Sequence, residues 1–356
     1  MMSSPGGLVL GIFFVLIFVG ISCTVDGGQT SDTSSEVAWK RIAGVTIADD
    51  FPDYTSPDCL ALCDSLRAAG ATWVAVTPCG FLDSTQDVSV SWTRWSSRDY
   101  RTAIAKMRAK GLKVMLKPYL FAMDFWTKKQ WTGDIRHNDS ASRRAFFDSY
   151  QSFILDNARI AADAHVELFC IALELPHLSH FEAEWRSLID TIRTVYRGPL
   201  TYAAHGLGES QAIRWWDAVD VIGVNLYPSL TDQTAPADSV VRAGWIPIKR
   251  QMERLSSMNG NKPIVLTEVG FRSVKKAMFS PWEWPEHGSR PIDHTEQAQA
   301  YRILADELYG ERWFGGVFWW KVFTDGAKPA ENADGFTPQG KPAWKEMSNG
   351  FKAFRQ

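Results

Sequence analysis

The feature that most limits what this chain can fold into is a regular alternation that begins near residue 40 and runs almost to the end. Short apolar runs alternate with longer amphipathic segments. The strand candidates are Arg41–Thr46, Thr72–Thr77, Lys113–Lys117, Val166–Leu173, Leu200–Ala203, Val219–Asn225, Pro263–Thr267 and Gly316–Trp320. They are short, mostly apolar or β-branched, and most are bounded by Gly, Pro, Asp or Asn, which suits parallel strands buried on both faces. Between them, Asp58–Ala69, Asp99–Ala109, Arg144–Ala161, Glu182–Tyr196, Val240–Ser256, Glu296–Tyr309 and Ala343–Phe354 carry apolar residues at helical spacing. A shorter helix is expected near Glu209–Trp216. Lys110-Gly111 reads as a helix stop, and Asp293 with Glu296 reads as a capping pair.

Strand–helix units repeated in this way predict an α/β fold of one kind, a single (β/α)8 TIM barrel over residues 38–356. A doubly wound open sheet would need a Gly-rich phosphate turn after an early strand. The first strand runs instead into Ala48-Asp49-Asp50-Phe51-Pro52. No interdomain linker and no longer repeat is visible.

The N-terminal residues have a different character. Leu8 to Ser22 is apolar or small and carries no charge. It is shorter than the about 20 residues a spanning helix needs and suits the apolar region of a signal peptide. Cys23 follows Gly20-Ile21-Ser22, and a polar stretch runs on to Ser35. Residues 1–22 therefore read as a signal peptide of bacterial lipoprotein type, with a lipid on Cys23, and residues 23–37 as a flexible linker. A plain secretory signal and an uncleaved anchor are the alternatives; each predicts export. Membrane contact is expected only through the lipid. Cys59 and Cys63, four apart on a helix, could pair only under strain. Cys79 and Cys170 read as buried thiols. There is no CxxC pair, and no cofactor or metal is expected.

Lys plus Arg is 38 and Asp plus Glu is 40, a net charge of −2, so no overall basic field exists to hold nucleic acid. The chain has 16 Trp, enough to make an aromatic-lined cleft worth seeking. Trp73, Trp92, Trp95, Trp215 and Trp216 read as packing residues. The loops Phe121–His137 and Lys275–Pro291 hold Trp126, Trp131, Trp282 and Trp284 among polar residues, where they can wall a cleft or pack the loops onto the barrel.

In a (β/α)8 barrel, catalytic residues stand at the C-terminal ends of strands. Two of these ends carry a carboxylate directly after an apolar run, Glu174 and Glu268. Facing carboxylates over an aromatic cleft suggest glycoside cleavage, in which one protonates the leaving oxygen and the other attacks or activates water. Arg272 is a plausible cation for Glu268. Lys117, at the third strand end, and Asn225 and Tyr227, at the sixth, are candidate contacts to the sugar or the nucleophile. Trp319 or Trp320 would lie under the cleaved sugar, since strand alternation turns one inward and the other outward. Glu174, His177 and His180 form E-x-x-H-x-x-H, but metal bundles of that kind need matching pairs on other helices. Pro176 also breaks the helix. His177 is therefore expected beside the acid as a substrate contact. An exported glycan-binding barrel without catalysis is the other function class these residues allow.

The segment Lys262–Ser273 resembles the strand-seven segment of glycoside hydrolase family 113. Gly111–Pro118, Asp220–Tyr227 and Gly316–Lys321 are similar to its other strands, and Phe336–Ala343 to its closing segment. The resemblance runs in order over roughly residues 38–354. It implies a retaining hydrolase with Glu174 as acid/base and Glu268 as nucleophile; a monomer is expected. Family members are mainly β-mannanases, which implies β-1,4-mannan or manno-oligosaccharides as substrate. One departure stands out. Leu173 precedes the acid where a polar residue, often Asn, is usual, so a sugar contact is missing there. That loss implies a lower rate or a different preferred sugar.

Overall fold

A computed structural model describes residues 41–48, 53–92, 99–285, 289–325, 328 and 332–354. The signal-peptide and linker readings, Cys23 and Trp95 lie outside the described residues. The strands are β1 (Ile42–Ile47), β2 (Trp73–Val76), β3 (Cys79–Leu82), β4 (Lys113–Leu116), β5 (Tyr119–Ala122), β6 (Leu168–Leu173), β7 (Leu200–His205), β8 (Val221–Asn225), β9 (Ile264–Val269) and β10 (Phe314–Val322). Eight of them close a barrel in the order β1-β2-β4-β6-β7-β8-β9-β10, and β10 pairs back onto β1. Every ladder is parallel. The helices are α1 (Pro57–Ala68), α2 (Tyr100–Ala109), α3 (Asp124–Thr127), α4 (Ser140–Asp163), α5 (Glu182–Val195), α6 (Gly206–Ala212), α7 (Asp238–Met258) and α8 (His294–Leu308), followed by a last helix, Pro342–Phe354. The (β/α)8 barrel expected from the sequence is the fold.

Alternation along the strands divides the core in two. Ile42, Trp73, Met115, Leu168, Val265 and Phe318 belong to a small cluster that fills the barrel. Their neighbours Ala43, Val74, Val114, Phe169, Leu266 and Val317 belong to the large cluster between strands and helices. Trp73 meets Phe318 edge-on at 6.2 Å. Gly44 makes room for them, since a Cβ there would lie 2.5 Å from the Phe318 ring.

The β3–β5 pair is not evident from the apolar pattern. β2 and β4 stop at Thr77-Pro78 and Lys117-Pro118, because proline has no N–H for the ladder. The two chains resume beyond the prolines as a separate two-stranded sheet, with Cys79 opposite Tyr119. The break leaves Lys117 at the barrel mouth, its N–H bonded to Val76 O at 2.8 Å.

All four described cysteines are buried and outside any disulfide, so Cys59 and Cys63 are not joined to each other on their helix. Asp293 caps α8, accepting from Thr295 N at 3.0 Å and Glu296 N at 3.1 Å. The reciprocal half of the expected capping pair is absent. The Glu296 carboxylate is buried and accepts instead from Ala235 N at 2.9 Å and Ala277 N at 3.1 Å, two loop amides that it satisfies at once. Asp293→Ala should therefore cost about 1 kcal/mol, an ordinary cap loss. Glu296→Ala should cost more, about 2–4 kcal/mol, because two N–H groups lose their acceptor. Urea unfolding of the two variants gives the ranking, and equal costs would show that Glu296 does not hold these loops.

Candidate active site

Both carboxylate-bearing strands are irregular where the carboxylates emerge. In β9 the register against β8 runs Val224 with Leu266, then Asn225 with Glu268. Against β10 it runs Val317 with Leu266, then Trp319 with Val269. One extra residue thus sits in β9 relative to both neighbours, a bulge at Thr267–Glu268 that lets two consecutive side chains face the mouth. β6 has a similar irregularity, with Cys170 opposite Thr201 and Leu173 opposite Ala203.

Glu268 is buried and held at both oxygens. Lys117 Nζ lies 2.5 Å from Oε1, and the Tyr227 hydroxyl donates to Oε2 at 2.9 Å. Lys117 is itself completely buried, and its ammonium also donates to the Thr267 carbonyl at 3.1 Å. Burial pushes the Glu268 carboxyl above its ordinary value; the Lys117 ammonium opposes this, the Glu174 charge adds to it, and the bonds from Lys117 and Tyr227 pull it back. Burial, with the Glu268 charge next, holds the Tyr227 phenol well above its ordinary range, so it stays a donor.

Glu174 follows β6 directly. Its backbone is left-handed, φ 50°, which a residue with a Cβ rarely adopts. Its N–H bonds Ala203 O at 2.9 Å, and the next N–H, of Leu175, bonds the Tyr202 hydroxyl at 2.8 Å. The carboxyl is partly exposed. Asn225 Nδ2 donates to Oε1 at 3.0 Å, and His205 Nδ1 lies 3.3 Å from the same oxygen. Oε2 takes no hydrogen bond from any described residue. The orientation of the Asn225 amide is fixed from its other end, where Oδ1 accepts from Thr267 Oγ1 at 2.9 Å. Asn225 thus links the strand of one carboxylate to the other, and the amide on Glu174 comes from β8 rather than from position 173.

The expected residues sort clearly. Lys117, Asn225 and Tyr227 converge on the two carboxylates. Trp320 is half-buried at the mouth, its ring 5.7 Å from Lys117 Nζ and edge-on to Trp284 at 6.3 Å. Trp319 is not in the cleft. It is fully buried and stacked on Tyr301 of α8 at 3.8 Å, because alternation turns it toward the helices. Arg272 is not the partner of Glu268 either. Its buried guanidinium bonds Asp334 Oδ2 at 2.7 Å and the Asp334 carbonyl at 3.2 Å, beneath the loop that precedes the last helix. Trp282 and His177 are exposed, and neither is hydrogen-bonded to either carboxylate. The Trp126 side chain lies outside the described residues. Among the described residues, no three His, Cys, Asp or Glu side chains come together as a metal site. Trp215 and Trp216 are fully buried, as expected of packing residues.

The expected fifth strand stops at Ala203, short of His205. β7 runs two residues further, and a polar residue after the run Leu200–Ala204 was the available signal. Trp131 covers His205, the ring centroids 4.5 Å apart. Glu209, buried on α6, was also missed, as was the part played by Thr267.

Glycosidic-bond cleavage uses a pair of carboxyl groups flanking the bond, and the mouth of this barrel holds two, one buried against an ammonium and the other partly exposed. Fold and site together define a glycoside hydrolase of the (β/α)8 class. Residues 49–341 match the sequence profile of Glycoside Hydrolase Family 113, and the chain belongs to that family. Among solved structures it is similar to the family 113 β-mannanase AaManA from Alicyclobacillus acidocaldarius, in complex with ManMIm: 25% identity, TM-score 0.74, covering 88% of this chain and 98% of that one. A second family 113 β-1,4-mannanase has 23% identity and TM-score 0.74 over 88% and 99% of the two chains. A family 5 mannosidase from Rhizomucor miehei shares the fold at 10% identity and TM-score 0.60, over 89% and 94%. No curated protein matches the sequence.

His205 reports on the site. Its hydrogen bond to Glu174 raises the imidazole above its ordinary pKa, against desolvation and with help from the Glu174, Glu209 and Glu268 charges. The stabilisation from this pair is therefore full below the ordinary imidazole range and fades as pH rises through the raised value. Glu174→Gln should lower the His205 pKa, which an NMR titration of the ring would register. An unchanged titration would mean the two side chains do not interact in solution.

Proposed function

We propose that this protein is a retaining β-mannanase that cleaves β-1,4-linked mannan or manno-oligosaccharides by double displacement, with Glu268 as nucleophile and Glu174 as acid/base. The observation that carries the assignment is the asymmetry of the pair: Glu268 is held by a buried ammonium and a phenol, whereas Glu174 keeps Oε2 open. Because Oε1 of Glu174 already accepts from Asn225, the proton of the neutral acid sits on Oε2. In the first step it passes to the glycosidic oxygen as a carboxylate oxygen of Glu268 attacks the anomeric carbon. The bond to the leaving sugar breaks and a glycosyl ester forms. In the second step Glu174 takes a proton from water, the water oxygen attacks the same carbon, and Glu268 leaves as carboxylate. Esterified Glu268 carries no charge, so the negative charge then needed on Glu174 meets no repulsion from it.

The choice of mannan is supported by the two family 113 mannanases that share this fold. The apolar run before Cys23 supports export, which would bring the enzyme to a polymer outside the cell. Trp320 and Trp284 supply the aromatic faces on the Glu268 side of the cleft, and Trp131 supplies one beside His205 on the Glu174 side.

Product formation by residues 36–356 on β-mannan, β-glucan and xylan oligosaccharides tests the substrate and the nucleophile together. Glu268→Gln should lose about 10³-fold or more of the turnover. Full activity in that variant would remove Glu268 from the role, and cleavage confined to glucan or xylan would overturn the choice of mannan. In kcat/KM, Glu174→Gln should lose about 10²–10⁴-fold on oligosaccharides but far less on dinitrophenyl glycosides, whose leaving group needs no proton in the first step. Equal losses on both would count against the acid role.

Lys117→Met tests the ion pair. Without the ammonium, burial and the Glu174 charge act on Glu268 with less opposition, and ionising it requires a higher pH. The acid limb of kcat/KM should shift upward in pH, and a profile that only scales down would show that Lys117 does not hold the nucleophile's charge.

A further inference from the structure

A third carboxylate lies buried behind the acid/base and has no part in the chemistry just described. Glu209 accepts at both oxygens: the Tyr202 hydroxyl donates to Oε1 at 2.6 Å, and the His205 backbone N–H donates to Oε2 at 2.5 Å. Each of these donors leads to Glu174. The Tyr202 oxygen, its proton committed to Glu209, accepts the Leu175 N–H that closes the left-handed turn at Glu174. The His205 ring, whose backbone Glu209 fixes, stands against the Glu174 carboxyl. A non-glycine residue in the left-handed region is held there only by its surroundings. Here those surroundings are Ala203 O, on Glu174's own N–H, and the Tyr202 hydroxyl that Glu209 orients.

We propose that Glu209 is a positioning residue for the acid/base, anchoring both the backbone turn and the imidazole that aim Glu174. The inference rests on Glu174 being the acid/base. Both Glu209 oxygens are acceptors, so the carboxylate form satisfies the whole network. A neutral carboxamide does not. If Gln turns its oxygen to the His205 N–H, its NH2 group meets the Tyr202 oxygen, and the phenolic proton loses its acceptor. If it turns the other way, two N–H groups face each other. The neutral side chain also removes a buried charge, which favours a folded variant.

The test compares Glu209→Gln with wild type on β-1,4-mannotetraose and on a dinitrophenyl β-mannoside. Loosening the acid should lower kcat/KM on the oligosaccharide about 10-fold or more, while kcat/KM on the aryl glycoside, which reports only the first step, stays within about 2-fold. Tyr202→Phe, which keeps the ring and removes the hydroxyl, should show the same split. Equal losses on both substrates, or no loss on either, would overturn the proposal. A second readout needs no turnover. The ¹H–¹⁵N amide signals of Leu175 and His205 should shift in Glu209→Gln, while those of Val114 and Leu266 stay in place. Unmoved Leu175 and His205 signals would also overturn it. If wild type cleaves neither substrate, the reading as a mannan hydrolase is what fails, and the amide signals alone decide whether Glu209 holds the turn.

Discussion

The ion pair between Lys117 and Glu268 is the interaction on which the rest of this barrel's mouth depends. An ammonium with no exposed surface is unfavourable unless nearby groups replace its hydration. Here the replacement comes from one strand, through the Glu268 carboxylate and the Thr267 carbonyl. Both are available because the β9 bulge disturbs the ladder at those two residues. On the other side, the Pro118 break in the β4–β5 chain frees Lys117 to stand at the end of its strand. A bulge in one strand and a proline in another are thus two parts of one device. Removing either charge would leave the other buried and alone, a penalty of about 3–5 kcal/mol. This site therefore cannot be read as an addition to a finished scaffold.

The Glu174 side is built by a different route. Glu174 stands in a strained turn, and what surrounds that turn is a block of fully buried rings. Trp185 stacks on Trp215 at 5.1 Å, and Tyr202 meets Trp215 edge-on at 5.3 Å. The indole N–H groups point at the backbone that leaves the turn: Trp185 donates to Leu178 O at 3.0 Å and Trp215 to Ser179 O at 2.9 Å. Rings of this size resist displacement in a close-packed interior, and their two donors fix the loop that follows Glu174. The packing tryptophans and the turn at Glu174 are one structure, which explains why so much indole is fully buried here.

How much of this was legible in the sequence follows from which forces write themselves locally. The barrel strands were visible because burial on both faces demands continuous apolar runs, and Glu174 and Glu268 were visible because each ends such a run. Position after a strand also pointed to Lys117, Asn225 and Tyr227. What sequence could not carry was direction. Strict alternation would turn Glu268 away from Thr267, and only the added residue in β9 lets both face the mouth. Arg272 lies near Glu268 in the chain, yet its buried guanidinium is taken by Asp334, a partner far along the sequence. Trp319 and Trp320 could not be separated until a register showed which one meets Tyr301. His205 and Glu209 were passed over because their importance lies in contacts with Glu174 and Tyr202, which no local pattern records.

The two halves of the site also suit the roles proposed for them. A nucleophile must keep its negative charge in a poorly solvated place, and a cation and a phenol at its two oxygens supply what water would otherwise provide. A proton donor must instead keep one oxygen free for the leaving group, so its bonds have to gather on the other. Asn225 Nδ2 donates to Oε1 of Glu174 and His205 Nδ1 lies against the same oxygen, while no described residue bonds Oε2. Exchanging the roles would ask Glu268 to carry a proton on an oxygen already facing an ammonium or a phenolic donor, where a neutral acid loses the attraction that justifies the buried lysine. Asn225 stands between the two, donating to one carboxylate and accepting from the residue beside the other. A change in the position of β9 is therefore felt at Glu174, and the spacing of the carboxylates is set by side chains whose own partners leave them little freedom.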